Sequence, residues 1–175
     1  VIDRGNPNTQ VLMIGEAPGE TEDLQGKAFV GRAGQLLDEL MRNLGFDTIQ
    51  DSLIINVVKC RPPENRQPKP EEASQCLPFL RKQIELVKPK IILLLGATAL
   101  KHIVTSKKEF SMSEEAGRFF EHAEYPGIKF MVLFHPAYIL RDPRKKPDMI
   151  EHLKQFISEW KEIVNPVIAR SPEGT

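Results

Sequence analysis

The stretch Val11-Leu12-Met13-Ile14-Gly15-Glu16-Ala17-Pro18-Gly19-Glu20 decides the fold of this chain. Its first four residues are apolar without a polar residue between them, which is typical of a parallel β-strand that is covered on both faces. A turn rich in Gly and Pro follows at once. Three further apolar runs of the same kind lie at 53–58, 91–95 and 130–134. The sequence therefore predicts four buried strands.

Helical segments separate these strands. Apolar residues recur with the spacing of an amphipathic helix at 34–44 and 149–164, and Pro followed by two Glu opens a helix at 70–87. A shorter helix is expected at 97–104. Strands that alternate with helices form parallel crossovers, which place helices on both faces of a sheet. The predicted fold class is α/β, a three-layer α/β/α sandwich with a central, mainly parallel four-stranded sheet.

The composition fits one globular domain without a membrane span. The chain has 175 residues, of which 41% are hydrophobic and 27% are charged. No apolar run approaches the roughly 20 residues that a membrane helix needs. We expect a single domain at 1–164 and a flexible C-terminal tail at 165–175. Two cysteines and no recognisable secretion signal favour a cytoplasmic location with reduced thiols.

The charge is locally basic although the net charge is zero. Lys and Arg number 24, and so do Asp and Glu, which alone argues mildly against nucleic-acid binding. Two segments, 59–69 and 141–146, each carry four cations and one acid. They are either solvated loops or patches that contact phosphates, because local charge matters more than the sum.

Polar residues lie where three of the expected strands end. Glu16 follows the first strand, Asn56 lies in the second, and His135 follows the fourth. Each has a structural interpretation: part of a tight turn, a hydrogen-bonded core amide, and a structural imidazole. In open parallel sheets, however, ligands bind beyond the carboxyl ends of the strands. The convergence of these residues on one edge therefore predicts a ligand site.

Four ordered segments are similar to the motifs of one enzyme family. They read Gly-Glu-Ala-Pro-Gly-Glu at 15–20 with Glu-Asp at 22–23, Phe-Val-Gly-Arg-Ala-Gly-Gln-Leu-Leu at 29–37, Asn-Val-Val-Lys-Cys-Arg-Pro-Pro-Glu-Asn-Arg at 56–66, and Phe-His-Pro-Ala-Tyr-Ile-Leu-Arg at 134–141. Each segment alone is weakly specific. In this order and spacing they resemble family 4, the iron–sulfur branch of the uracil-DNA glycosylase superfamily, over most of the chain.

The resemblance implies an enzyme that removes uracil from DNA. Such a glycosylase flips the nucleotide out of the base stack into a pocket. It then hydrolyses the N-glycosidic bond and leaves an abasic site for base excision repair. The expected partner is uracil-containing DNA, single- or double-stranded, with free uracil as product. We expect a monomer that does not associate with a membrane.

By resemblance, four residues surround the uracil: Ala17, Phe29, Asn56 and His135. Phe29 would stack on the ring, and Asn56 would bond its O4 and N3–H edge. His135 would donate a hydrogen bond to O2 as negative charge develops on the departing uracil. Cytosine presents the opposite donor and acceptor, so a fixed amide would reject it.

The catalytic carboxylate is Glu16 or Glu22. Glycosylase families with an obvious carboxylate carry Asp at the position of Ala17, where family 4 also has a small residue. We expect Glu16 to orient water and stabilise the sugar cation. Glu22 would pack near uracil C5 and exclude a thymine methyl group.

The resemblance also implies a surface that contacts DNA. The segment 139–141 would enter the minor groove and fill the space of the flipped base, as apolar wedges do elsewhere. Basic side chains would hold adjacent phosphates. The expected DNA-binding residues are Pro62, Asn65, Arg66, Ile139, Leu140, Arg141 and Arg144.

Members of family 4 bind a 4Fe–4S cluster through four cysteines. Cys60 and Cys76 match the second pair of ligands, and the first pair, a Cys-x-x-Cys, is expected shortly before Gly5. Two thiolates cannot complete a four-Cys site. Either the first pair lies in a segment before Val1, or this member lacks the cluster and the two thiols are incidental.

Three other functions fit the sequence less well than uracil excision. A DNA-binding domain without catalysis would not need Glu16, Asn56 and His135 together. A superfamily member that traps DNA covalently would carry an Arg-rich insert with a reactive His at 62–68, where this chain has Pro-Pro-Glu-Asn-Arg-Gln-Pro. A phosphate-handling enzyme would have a Gly-rich phosphate cradle, which 15–20 does not match.

Overall fold

Six β-strands form one mixed sheet in the part of the chain that the computed structural model describes, which is residues 3–16, 24–26, 30–57, 70–103 and 111–164, without the side chains of 70–77. The strands are β1 (Arg4–Gly5), β2 (Val11–Gly15), β3 (Leu53–Asn56), β4 (Ile91–Leu95), β5 (Phe119–Glu121) and β6 (Lys129–Leu133). Their order across the sheet is β1-β3-β2-β4-β6-β5.

The four central strands are the ones that the sequence predicts. β3, β2, β4 and β6 are mutually parallel, and their buried side chains are apolar except that of Asn56. The sheet nevertheless has six strands rather than four, because β1 and β5 pair antiparallel to its two edges. These edge strands are two and three residues long and are partly exposed, so they lack the continuous apolar run that marks a buried strand.

The helices lie between the strands, as expected. They are α1 (Arg32–Asn43), α2 (Pro70–Val87), α3 (Ala97–Ile103), α4 (Met112–Glu115), α5 (Pro136–Arg141) and α6 (Lys146–Val164), with a 3-10 turn at Pro143–Lys145. The predicted bounds of α2 match, and α6 begins three residues earlier than predicted. The short helices α4 and α5 were not predicted. The tail at 165–175 lies outside the described residues.

Alternate side chains of β2 enter two separate apolar cores. Val11 and Met13 pack with residues of α1, α5 and α6 on one face of the sheet. Leu12 and Ile14 pack with residues of α2 and α3 on the other face. The sheet therefore lies between two helical layers, which confirms the predicted α/β class. No helix in the described ranges is both long and apolar enough to cross a membrane.

Candidate active site

The carboxyl ends of the four parallel strands meet at one edge of the sheet. Gly15 pairs with Asn56, and the backbone N–H of Val57 donates to the Gly15 carbonyl at 2.9 Å. On the other side of β2, the backbone N–H of Gly96 donates to the carbonyl of Leu133 at 2.9 Å. Glu16, Asn56 and His135 consequently leave the sheet at the same edge.

Asn56 presents a buried amide without a satisfied acceptor. The residue is 3% exposed, and its Oδ1 accepts no hydrogen bond from any residue that the structure describes. A buried acceptor without a partner costs about 1–3 kcal/mol, so such groups in native proteins call for an explanation. A ligand with an N–H group at this position would satisfy the amide.

The ring of His135 is held in one tautomer. His135 is the N-cap of α5, and its Nδ1 accepts a hydrogen bond from the backbone N–H of Ala137 at 3.0 Å. A neutral imidazole has one donor nitrogen and one acceptor nitrogen, so the proton lies on Nε2. Burial and, to a smaller extent, the positive charge of Arg141 lower the pKa of His135 from 6.5 to about 4. At neutral pH the ring is therefore an uncharged Nε2–H donor.

Gly96 lies against this ring. The residue has φ +96°, and a Cβ built on it would lie 3.1 Å from the Cβ of His135 and 3.6 Å from its Cδ2. The first distance is shorter than normal contact between carbon atoms, and the second is ordinary van der Waals contact. The sequence shows Gly96 only as the residue after a strand, and the approach to His135 depends on how β4 and β6 are placed.

Glu16 is partly buried at the same edge and acts electrostatically on α3. Burial lowers the pKa of His102, and the negative charge of Glu16 opposes that shift. The carboxylate of Glu16 thus acts on the last turn of α3, where His102 lies. Of the two candidate carboxylates, Glu22 lies outside the described residues.

Several other predicted site residues also fall outside the described part of the chain. The backbone of Cys76 lies on α2, but its side chain is not described. The residues whose placement is not described are Ala17, Glu22, Phe29, Cys60, Pro62, Asn65 and Arg66.

The helix α5 divides the predicted DNA-contacting residues between the core and the surface. Ile139 is 2% exposed and packs in the core beside α1, whereas Leu140 is 37% exposed and Arg141 is exposed. The helical period turns these neighbours to different sides. In this structure the Ile139 side chain therefore faces the core and not the surface at which Leu140 and Arg141 are exposed. Arg144 is exposed and pairs with Asp142, with 2.9 Å between Nε and Oδ1.

Comparison of the sequence with models of known protein families identifies the superfamily. The model of the uracil DNA glycosylase superfamily matches residues 2–161. The chain belongs to the uracil DNA glycosylase superfamily.

The similar proteins narrow this assignment. A type-4 uracil-DNA glycosylase of Thermotoga maritima is 44% identical over 164 residues, covering 91% of this chain and 83% of the relative. One from Archaeoglobus fulgidus is 37% identical, covering 87% and 77%. A third, from Saccharolobus solfataricus, is 41% identical, covering 79% and 66%. The resemblance to family 4 is confirmed.

The iron–sulfur cluster of family 4 is not completed by the residues present. The 175 residues include two cysteines, and a 4Fe–4S cluster takes four thiolates. Among the described residues, no group of three or more His, Cys, Asp or Glu side chains could hold a metal ion.

Proposed function

We propose that this chain is a uracil-DNA glycosylase that flips uracil out of DNA and hydrolyses its N-glycosidic bond. The abasic site that remains would enter base excision repair. The family and the type-4 relatives support this function. The observation that carries it is the pairing, at one sheet edge, of the unsatisfied Asn56 amide with an uncharged His135 donor.

The two side chains suit opposite edges of a pyrimidine. Asn56 ends β3 and His135 follows β6, and these strands are three inter-strand steps apart, roughly 14 Å. A flat six-membered ring with a hydrogen bond at each edge suits a gap of that width. The Oδ1 of Asn56 would accept from N3–H of uracil, and its Nδ2 would donate to O4. Cytosine would leave both groups unpaired in a buried site, which gives strong discrimination.

His135 would act on the leaving group. The C1′–N1 bond breaks with its electron pair remaining on uracil, and negative charge spreads to O2. The Nε2–H of His135 would donate to O2 and stabilise this charge, which is commonly the largest catalytic contribution. A neutral ring suits this role, because its proton stays on His135 while the uracil anion departs, and the water that adds to C1′ supplies the proton that free uracil takes up.

Glu16 would act on the sugar. The departing uracil leaves an oxocarbenium-like C1′, and a nearby carboxylate stabilises that cation. Water then adds to C1′ and passes its proton to Glu16. Glu22 is proposed to pack near uracil C5, Phe29 to stack on the ring, and Ala17 to line the pocket.

The substrate would bind along the surface next to α5. The exposed side chains of Leu140 and Arg141 lie on the helix that His135 caps, and the exposed Arg144 lies on the 3-10 turn that follows. Leu140 would fill the space of the flipped base, and the two arginines would hold phosphates. Pro62, Asn65 and Arg66 are proposed to add contacts. Partners of the proposed monomer would be single- or double-stranded uracil-containing DNA, with free uracil released.

The cysteines are proposed as half of a ligand set. Cys60 and Cys76 would supply two of the four thiolates of a 4Fe–4S cluster, and the other two would come from outside these 175 residues.

The test is single-turnover excision from labelled oligonucleotides that contain U:G, U:A or single-stranded uracil. The wild type should release uracil from all three. His135→Ala should slow excision by about 10²–10³-fold, the usual loss of one such donor. His122→Ala is the matched control. His122 follows β5, whose end pairs with the amino end of β6, so this histidine lies at the sheet edge opposite to His135. Its Nε2 forms a hydrogen bond with the Ile103 carbonyl.

Two outcomes would contradict the proposal. DNA binding without any excision by the wild type would indicate a non-catalytic binding domain. Near-normal excision by Glu16→Ala would agree with uracil excision as the reaction, but it would contradict the role of Glu16 as the water-orienting carboxylate.

A further inference from the structure

We infer that Gly96 is a positioning residue for His135, and that the absence of a side chain there sets where the Nε2–H donor lies. This inference rests on the proposed function, in which His135 serves the leaving group. It adds a residue that makes no proposed contact with uracil. Gly96 instead acts through the ring that does.

The backbone of Gly96 is fixed on both sides. Its N–H donates to the Leu133 carbonyl at 2.9 Å, which ties it to the end of β6. Its carbonyl accepts from the N–H of Leu100 at 3.3 Å, which ties it to the first turn of α3. Because neither side can yield easily, a side chain at 96 would have to displace the His135 ring.

A side chain at 96 would press on the His135 Cβ, the atom that carries the ring. A Cβ at 96 would lie 3.1 Å from the His135 Cβ and 3.6 Å from Cδ2, the ring carbon bonded to Nε2. On the opposite side of the ring, Nδ1 is held by the Ala137 N–H at 3.0 Å. Relief of the Cβ contact would therefore shift the His135 side chain by a few tenths of an ångström against its Nδ1 hydrogen bond and move Nε2 with it. Since a displacement of about 1 Å in a catalytic group commonly costs about 10²-fold in rate, a shift of this size should cost roughly fivefold.

A second reason for glycine must be separated from this one. Gly96 has φ +96°, which disfavours any L-residue whether or not its side chain meets a neighbour. Gly127 provides the matched control, because it has φ +82° and a Cβ there would meet no atom within 4 Å. Gly127→Ala therefore carries the backbone strain without a contact.

The experiment compares single-turnover excision by Gly96→Ala, Gly127→Ala, His135→Ala and the double variant Gly96→Ala/His135→Ala. Gly96→Ala should lose roughly fivefold in rate while DNA affinity changes less than about twofold. Gly127→Ala should match the wild type. In the His135→Ala background, Gly96→Ala should cause no further loss, because residues that act through one group are non-additive.

The outcomes separate this inference from the proposed function. Full activity of His135→Ala would remove the donor role itself. The positioning role alone would be overturned if excision is slow in His135→Ala but as fast as wild type in Gly96→Ala. It would also be overturned if Gly96→Ala lowers the excision rate by the same factor in the His135→Ala background as in the wild type. If Gly96→Ala does not fold, an NMR measurement on the wild-type protein still tests the inference. A nuclear Overhauser contact between the Hα atoms of Gly96 and Hδ2 of His135 is expected, and its absence would also overturn the inference.

Discussion

Replacing Asn56 with leucine should stabilise the free protein while abolishing uracil excision. Asn56 is 3% exposed, and its Oδ1 is buried without a hydrogen-bond donor among the described residues. Removing such an unsatisfied acceptor recovers about 1–3 kcal/mol. Leucine has a similar size and lies next to apolar β3 neighbours, so its methyl groups add no polar cost.

The expected gain is measurable as a melting temperature. For a chain of this length, 1 kcal/mol of unfolding free energy corresponds to about 2–4 °C. Asn56→Leu should therefore raise Tm by about 2–12 °C, measured by circular dichroism without DNA. The same variant should excise uracil about 10²-fold more slowly or worse, because it removes the amide proposed to bond N3–H and O4.

Ser52→Ala is the matched control for the stability measurement. Ser52 is also buried and precedes β3, but its Oγ donates to the Thr48 carbonyl at 2.6 Å. Losing this satisfied hydrogen bond should lower stability by about 1 kcal/mol and leave excision unchanged. If Asn56→Leu lowers Tm as Ser52→Ala does, or retains excision, the unsatisfied amide is not a binding group.

Three further predictions concern His135 and α5. Burial lowers the pKa of His135 from 6.5 to about 4. Between these two pH values His135 is neutral in the folded protein but protonated in the unfolded chain. The contribution of His135 to folding stability is therefore complete above pH 6.5 and is lost as the pH falls to about 4. Nitrogen NMR should show a neutral Nε2–H ring at pH 6, and titration near 6.5 would contradict the burial. Ile139→Ala should lower the unfolding free energy by about 2–5 kcal/mol, whereas Leu140→Ala should leave stability nearly unchanged and slow excision more from duplex than from single-stranded DNA. Equal destabilisation by both would contradict their placement. Arg141→Ala should reduce the slope of log affinity against log salt by about 1, and an unchanged slope would remove its phosphate contact.

The central strands could be predicted because each of them is a run of consecutive apolar residues. β2, β3, β4 and β6 are covered on both faces, so every residue in them is apolar or small apart from Asn56 and Lys129. β1 and β5 could not be predicted in the same way, because an edge strand needs only a few backbone hydrogen bonds and no apolar pattern. Their pairing depends on where the chain returns to the sheet.

The site could be predicted in part for the same physical reason. Parallel strands bring their carboxyl ends together, so the positions of Asn56 and His135 in the sequence suffice to place both at one edge. The tautomer of His135 depends on the local N-cap hydrogen bond from Ala137. The approach of Gly96 depends on a tertiary distance that no sequence motif encodes. The burial of Ile139 could not be predicted because a motif gives no helical phase, and the phase of α5 turns that side chain into the core.

The most direct test of the account is a titration of free uracil into isotope-labelled protein, followed by nitrogen–proton NMR. Uracil should shift the Asn56 side-chain NH2 and the His135 Nε2–H together, with one common affinity, while cytosine should shift neither. Uracil that perturbs only one of the two groups, or cytosine that shifts both equally, would contradict the claim that these residues hold opposite edges of one base.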